Sequence, residues 1–385
     1  MLINVRIDDS EIRCRGGQTS INPDDALDGC VTGVFPPEHE PPDQSFKRLL
    51  IAERVSGNPD TGATYILEPD VSADVAEITP GFADGVTGLY WSGQRLLALL
   101  QYQSDSLGAY ITEYTVLPVS GVTTLSPVAS PNGIALSWSG NVGGVVRYGS
   151  DYFLGRYDSV AASTDSVRLE YISFGTSDFA FTNEQANDSL DFNAPSPSTL
   201  VTSAPDDRII WLSKATSVAT LTIRATVAGT YSQVSFPTGF EPIDTGIHAW
   251  AWHAGKLYIA GDLSGDLVIC AYDPVANTIS TARTISGANP DHCPMAVHKG
   301  ILYFAYGIDA GAERVGMLKA GTWTDSIAAF PAPADIYDLC SFQGHLYMTK
   351  DDFILRCENP SVDPTFESFY QGLYGFDLGA MVAVP

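Results

Sequence analysis

Four aspartates recur at matched distances ahead of a hairpin glycine. Asp84, Asp291 and Asp335 each stand nine residues before Gly93, Gly300 and Gly344, and Asp244 stands eleven before Gly255. A ring of carboxylates suits a hard cation such as Ca²⁺, or acid/base work at a glycosidic bond. The plainer role is that each Asp side chain accepts hydrogen bonds from the backbone of its own turn, and that is the role expected for most of them. No cofactor is expected, and Ca²⁺ is the one ion the set would suit.

The run Asp291-His292-Cys293, with His248 one unit earlier, is the most ligand-like cluster among the six histidines and six cysteines. A zinc site wants at least three converging N or S ligands, and closely spaced cysteine pairs are absent. No metal centre is therefore expected, and most cysteines read as small buried thiols. Cys14 and Cys30 are close enough in sequence to bridge under oxidising conditions. Nucleophilic catalysis finds no G-x-S-x-G elbow, no HExxH and no phosphate-binding glycine loop.

Such residues need elements to position them, and the stretch from Gly246 to Ile279 shows what those are. Ile247, Ala249 and Ala251 alternate with His248, Trp250 and Trp252, the period of a two-faced strand. Ala254-Gly255-Lys256, Ser264-Gly265-Asp266 and Asp273-Pro274 with Asn277 supply three tight turns. The product is a four-stranded antiparallel meander.

That meander repeats. The hairpin between its first two strands recurs at Leu96, Tyr152, Ile209, Leu257, Leu302 and Leu346, in steps of 56, 57, 48, 45 and 44 residues. A further step of 47 back from Leu96 lands on Leu49, inside Arg48-Leu49-Leu50-Ile51-Ala52. This unit lacks a first strand, whereas Gly379 to Val384 reads as a first strand with nothing after it. Pairing the two explains both, and the spacing is that of a propeller. The expectation is an all-β, seven-bladed β-propeller over residues 46–385, with six or eight blades as alternatives, closed by the C-terminal strand. Residues 1–45 form an N-terminal arm with one strand, Leu2 to Ile7, and long insertions are expected near 126–140 and 174–198.

Aromatic residues on strands are expected to fill the gaps between sheets. Those outside, Phe174, Phe179, Phe181 and Phe192 in the polar insertion and Phe35 in the arm, read instead as anchors for docking against a partner. The net charge of −25, from 45 acidic and 20 basic residues, argues against binding nucleic acid or anionic membranes. No apolar run is long enough to span a bilayer and no secretory signal opens the chain, so synthesis in a cytoplasm is expected.

Ala271-Tyr272-Asp273-Pro274-Val275-Ala276-Asn277-Thr278 resembles the Y-D-P-x-x-N turn of kelch-like propeller repeats, which implies the same fold. The degenerate blades, long insertions and terminal arm also resemble, at the level of architecture, the propellers of podovirus-type phage tail nozzle and hub proteins. That resemblance implies a non-enzymatic structural protein of a viral particle, made in the host cytoplasm and assembled into the virion. Its partners would be other tail proteins or copies of itself, reached through the arm and loops. The alternative is a carbohydrate-binding or glycoside-cleaving propeller using Asp84, Asp244, Asp291 and Asp335. A cytosolic scaffold binding peptides on one face is the third reading.

Overall fold

The computed structural model describes the strands given below. Between residues 231 and 371 it also describes the connections, except at 244–248, 291, 309–311 and 332–335. All regular structure among the described residues is strand, and no helix is long and apolar enough to cross a membrane.

Among the described residues, a three-stranded sheet in the arm is followed by seven antiparallel sheets of four or five strands. The second holds Val86–Trp91, Leu96–Leu100, Tyr110–Val119 and Val122–Pro127, with Ile134–Ala135 added beside Tyr110–Val119. The third holds Gly140–Tyr148, Asp151–Asp158, Ser166–Phe174 and Phe179–Gln185, and the fourth Val201–Ser203, Ile209–Ala215, Val218–Arg224 and Tyr231–Ser235. In the fifth, Trp250–His253, Lys256–Leu263, Asp266–Asp273 and Thr278–Ile285 form the expected meander. The sixth is Met295–His298, Ile301–Ile308, Ala312–Lys319 and Thr322–Phe330; the seventh is Ile336–Phe342, His345–Lys350, Phe353–Cys357 and Glu367–Gln371.

The first sheet joins the two ends of this series. Arg48–Val55, Thr64–Glu68 and Ala73–Ile78 come from the start, and Phe376–Val384 supplies the fourth strand. The two ends pair antiparallel, with Val384 opposite Arg48, Ala383 opposite Leu49, Val382 opposite Leu50 and Met381 opposite Ile51. Ahead of it, the arm differs from expectation. It carries three short antiparallel strands, Val5–Asp8, Glu11–Cys14 and Ser20–Ile21, with Ile7 opposite Ile12 and Ile12 opposite Ile21 in the ladders.

Burial follows the alternation. In the fifth sheet Trp250 and Trp252 pack with Ile210, Leu212, Leu221 and Ile223 of the fourth. Ala249 and Ala251, on the other face, pack with Met295, Leu302 and Phe304 of the sixth. Further cores join Val315 to Leu346 and Met348, and Phe342 and Tyr347 to Leu49 and Ile51. The fifth, sixth and seventh sheets are therefore apolar on both faces, and removing these surfaces from water is the main favourable contribution to folding.

The turn motif at Asp273 works by simple hydrogen bonding. Asp273 Oδ1 accepts from the N–H groups of Val275 and Ala276, both at 3.0 Å, and the Tyr272 hydroxyl is 3.0 Å from Asn277 Oδ1. These bonds hold the Asp273 carboxyl below the usual carboxylate range.

A buried imidazole ties the sixth sheet to the seventh. His298 is 1% exposed. A carbonyl can only accept, so Nε2–H donates to Glu358 O at 3.0 Å and Nδ1 accepts from the Ser341 hydroxyl at 2.8 Å. Burial lowers the pKa of this histidine to about 4, which keeps it neutral in the folded protein.

Two predictions follow from this packing. An added Cβ at Gly316 would lie 2.6 Å from Phe304 Cε2 and 2.8 Å from Asp325 O, whereas one at Gly300 (φ 71°) would meet nothing within 4 Å. In urea denaturation Gly316→Ala should cost roughly 3 kcal/mol through overpacking, and Gly300→Ala about 1 kcal/mol of backbone strain. Equal costs would contradict the packing described. The second concerns pH. An unfolded chain takes up the His298 proton near pH 6.5 but the folded chain only near pH 4, so this residue's contribution is complete above 6.5 and is lost progressively as pH falls to 4. The loss should reach roughly 3 kcal/mol. Its proton-linked slope should vanish in His298→Asn, measured as stability against pH in both proteins.

Candidate functional site

The inner strands of the fifth and sixth sheets are each interrupted at the end where the chain enters. In the sixth, Ala288–Asn289 pairs with Ile308 and Gly307, then Met295–His298 pairs with Phe304 through Ile301. The residues between leave the ladder, and Pro294 O rejoins it by accepting from Ala305 N at 3.0 Å. The fifth sheet repeats the device with Phe240–Pro242 and Trp250–His253. Such an interruption frees side chains that a continuous strand would commit to the inter-sheet core.

His292 lies in the sixth-sheet interruption. Its Nε2 is 3.0 Å from Glu313 Oε2, and the two side chains are 16% and 3% exposed. Glu313 comes from the third strand, one step before Arg314 and on the same face as Val315, so strand alternation turns it inward. A carboxylate so buried is costly unless paired, and the imidazole N–H is its partner here. Gly307, directly opposite Glu313 in the ladder, leaves room for them. A Cβ there would lie 3.0 Å from Glu313 Oε1, 3.6 Å from His292 Cε1 and 3.7 Å from the Asn289 Cβ. A buried carboxylate orienting a partly accessible imidazole is an arrangement suited to general acid/base chemistry.

Cys293 does not join this pair. It is fully buried among Ile285, Met295 and Tyr306, and burial together with the Glu313 charge pushes its thiol pKa up, away from the thiolate a metal would need. Among the described residues no group of three or more His, Cys, Asp or Glu side chains is arranged to hold a metal ion. His248, Asp84, Asp244, Asp291 and Asp335 lie outside the described residues, as do Phe35, Phe192 and Cys30.

Phe174, Phe179 and Phe181 lie on strands and not in a loop. Phe174 ends one strand of the third sheet and faces Phe179, which begins the next, while Phe181 faces Ile172.

Glu313 was missed by sequence reasoning. The available signal was its place two residues before Val315 in a strand whose alternate positions are apolar, which puts an acidic side chain on a core-facing position.

No family model and no curated protein matches the chain. Solved structures do match. One is described as a candidate 6-phosphogluconolactonase from Bacteroides fragilis; it is 11% identical, with a TM-score of 0.57 over 90% of this chain and 100% of that one. A second, a candidate 6-phosphogluconolactonase from Bacteroides uniformis, is 11% identical with a TM-score of 0.54, covering 87% and 99% of the two chains. A puromycin hydrolase is 12% identical with a TM-score of 0.53, covering 88% of this chain and 56% of its own. The likeness is one of fold, and the chain has an all-β fold resembling β-propeller-type enzymes.

This finding corrects the expectation of a non-enzymatic phage-tail subunit. That reading rested on fold-level resemblance alone, and the fold proves to be shared with proteins described as a lactonase and a hydrolase. The assignments as viral, virion, structural and phage-tail protein, and as a non-enzyme, fall with it.

Proposed function

We propose that this chain is a seven-bladed β-propeller enzyme that hydrolyses a sugar-derived substrate at the end where its inner strands begin. The sheets would close into a ring through the terminal strand. Asp84, Asp244, Asp291 and Asp335 would rim the mouth of its central channel. The observation that carries the reading is the contact between His292 Nε2 and the buried Glu313 carboxylate at 3.0 Å. The descriptions of the structurally similar lactonases and hydrolase support it.

In this reading Glu313 orients the His292 imidazole through Nε2. The imidazole takes a proton from water as the water oxygen bonds to the substrate's acyl carbon, and Glu313 stabilises the imidazolium that results. The ring C–O bond of a lactone then breaks, and the departing alkoxide takes the proton back from the imidazolium. The net change is one water added across the ester. A glycosidase needs two carboxyl groups flanking its bond, whereas a single carboxylate backing an imidazole fits attack on an acyl carbon better. A lactone is accordingly the first substrate to try.

The purified chain should accelerate ring opening of glucono-δ-lactone in a pH-stat assay. His292→Asn and Glu313→Gln should each lower kcat/KM by about a hundredfold or more, in the range for loss of a general base. Unfolding curves of both variants guard against simple loss of structure. Full activity in both folded variants would exclude this pair as the catalytic machinery.

A further inference from the structure

We infer that the same site selects uncharged or cationic sugar-derived ligands and rejects phosphorylated ones. The inference rests on the hydrolase reading above and adds the chemical class of its substrate. It comes from how charge is divided between the two ends of the fifth, sixth and seventh sheets.

Contacts between sheets establish which ends lie together. His298 and Ser341, at the outgoing ends of the sixth and seventh inner strands, are hydrogen-bonded. Tyr258 and Trp323, both one turn from the same end of the fifth and sixth sheets, have ring centroids 5.9 Å apart. The entry ends, with His292 and Glu313 among them, are therefore grouped opposite.

At the outgoing end charge is matched. Lys256 is 3.3 Å from Asp273, Lys299 is 4.0 Å from Glu358, and Arg356 is 2.7 Å from Glu367. The turns and strand ends at the entry side carry a different balance. Glu241, Asp262, Asp266, Glu313, Asp338, Asp351 and Asp352 lie there, against the cations Arg283, Arg314 and Lys350, of which Arg283 is already paired with Asp325. Several of these carboxylates are fixed by the backbone or by neighbours: Asp262 Oδ1 accepts from Gly265 N at 2.7 Å, Asp266 Oδ2 from the Ser286 hydroxyl at 3.2 Å, and Asp352 Oδ2 from Gln371 Nε2 at 3.1 Å. Their charges cannot swing away from an incoming ligand without breaking those bonds.

A phosphate group brings about two negative charges to this end of a chain whose net charge is −25. Repulsion of that kind is long-ranged at low ionic strength, where the Debye length is about 30 Å at 0.01 M, and is screened within about 3 Å at 1 M. Recognition of a phosphate usually relies on Arg or Lys side chains or clustered backbone N–H groups. The described strand ends on this side supply three such cations, Arg283, Arg314 and Lys350; Arg283 is bound to the Asp325 carboxylate, and none is on the element that carries His292.

The test compares glucono-δ-lactone with its 6-phosphate on the intact protein, at low salt and at 0.5 M NaCl. The neutral lactone should be favoured at least tenfold in kcat/KM at low salt, and the gap should narrow severalfold in high salt. Glu241→Lys combined with Asp352→Lys should narrow it in the same direction, by raising kcat/KM for the phosphorylated lactone. A preference for the phosphorylated lactone, or a gap indifferent to salt and to both substitutions, overturns the inference while leaving the hydrolase reading standing. A separate arm titrates inorganic phosphate against the His292 imidazole by NMR. Absence of a saturable shift up to 10 mM supports the inference and a saturable one overturns it, so the question is decided even if neither lactone is turned over and the hydrolase reading fails.

Discussion

The pairing of Phe376–Val384 with Arg48–Val55 is the constraint on which the rest of the structure depends. It joins the last residues of the chain to the first sheet, and it places Leu378 and Met381 in one core with Leu49, Ile51, Phe342 and Tyr347. Two further bonds hold the same strand to the seventh sheet. Met381 N donates to the buried Asp338 Oδ2, and Leu378 N donates to Asp351 O, each at 2.8 Å. They flank the break in register between Leu378 and Met381, so the strand serves two sheets by pairing with one and being clasped by the other. Without it the first sheet would have three strands and an open edge, an invitation to mispairing.

Within that frame, the candidate site is made by giving something up. A continuous inner strand in the sixth sheet would bury more backbone hydrogen bonds, yet the chain leaves the ladder between Asn289 and Met295 and presents His292 to a carboxylate on the third strand. The carboxylate in turn occupies a position where alternation calls for an apolar side chain. Local departures from an otherwise consistent pattern are where function is expected to reside. His298, equally buried, is different: both ring nitrogens are committed between sheets and its basicity is suppressed, which marks it as structural.

Much of this was legible in the sequence. The hairpins at Gly255, Gly300 and Gly344, the alternation of Ala249 and Ala251 with Trp250 and Trp252, and the missing first strand before Leu49 pointed to a series of antiparallel meanders with the last strand paired into the first. These signals are local and are repeated, so noise in one copy is offset by the others. Glu313 and His292 are 21 residues apart and meet because Gly307 pairs with Asn289 on one side and Glu313 on the other, a relation that spacing does not encode. Phe179 and Phe181 were assigned to a loop because composition outweighed a short alternation. The tail-protein reading failed for another reason: a fold reports how a chain packs, and the same packing carries many chemistries.

Hydrogen exchange on the intact protein tests the central claim most directly. If the terminal strand completes the first sheet, the amides of residues 381–384 and of 48–52 should be protected together, to the same degree as Lys256–Leu263 in the middle of the fifth sheet. Exchange of residues 381–384 within seconds, while the fifth sheet stays protected for hours, would show that the two ends are not joined.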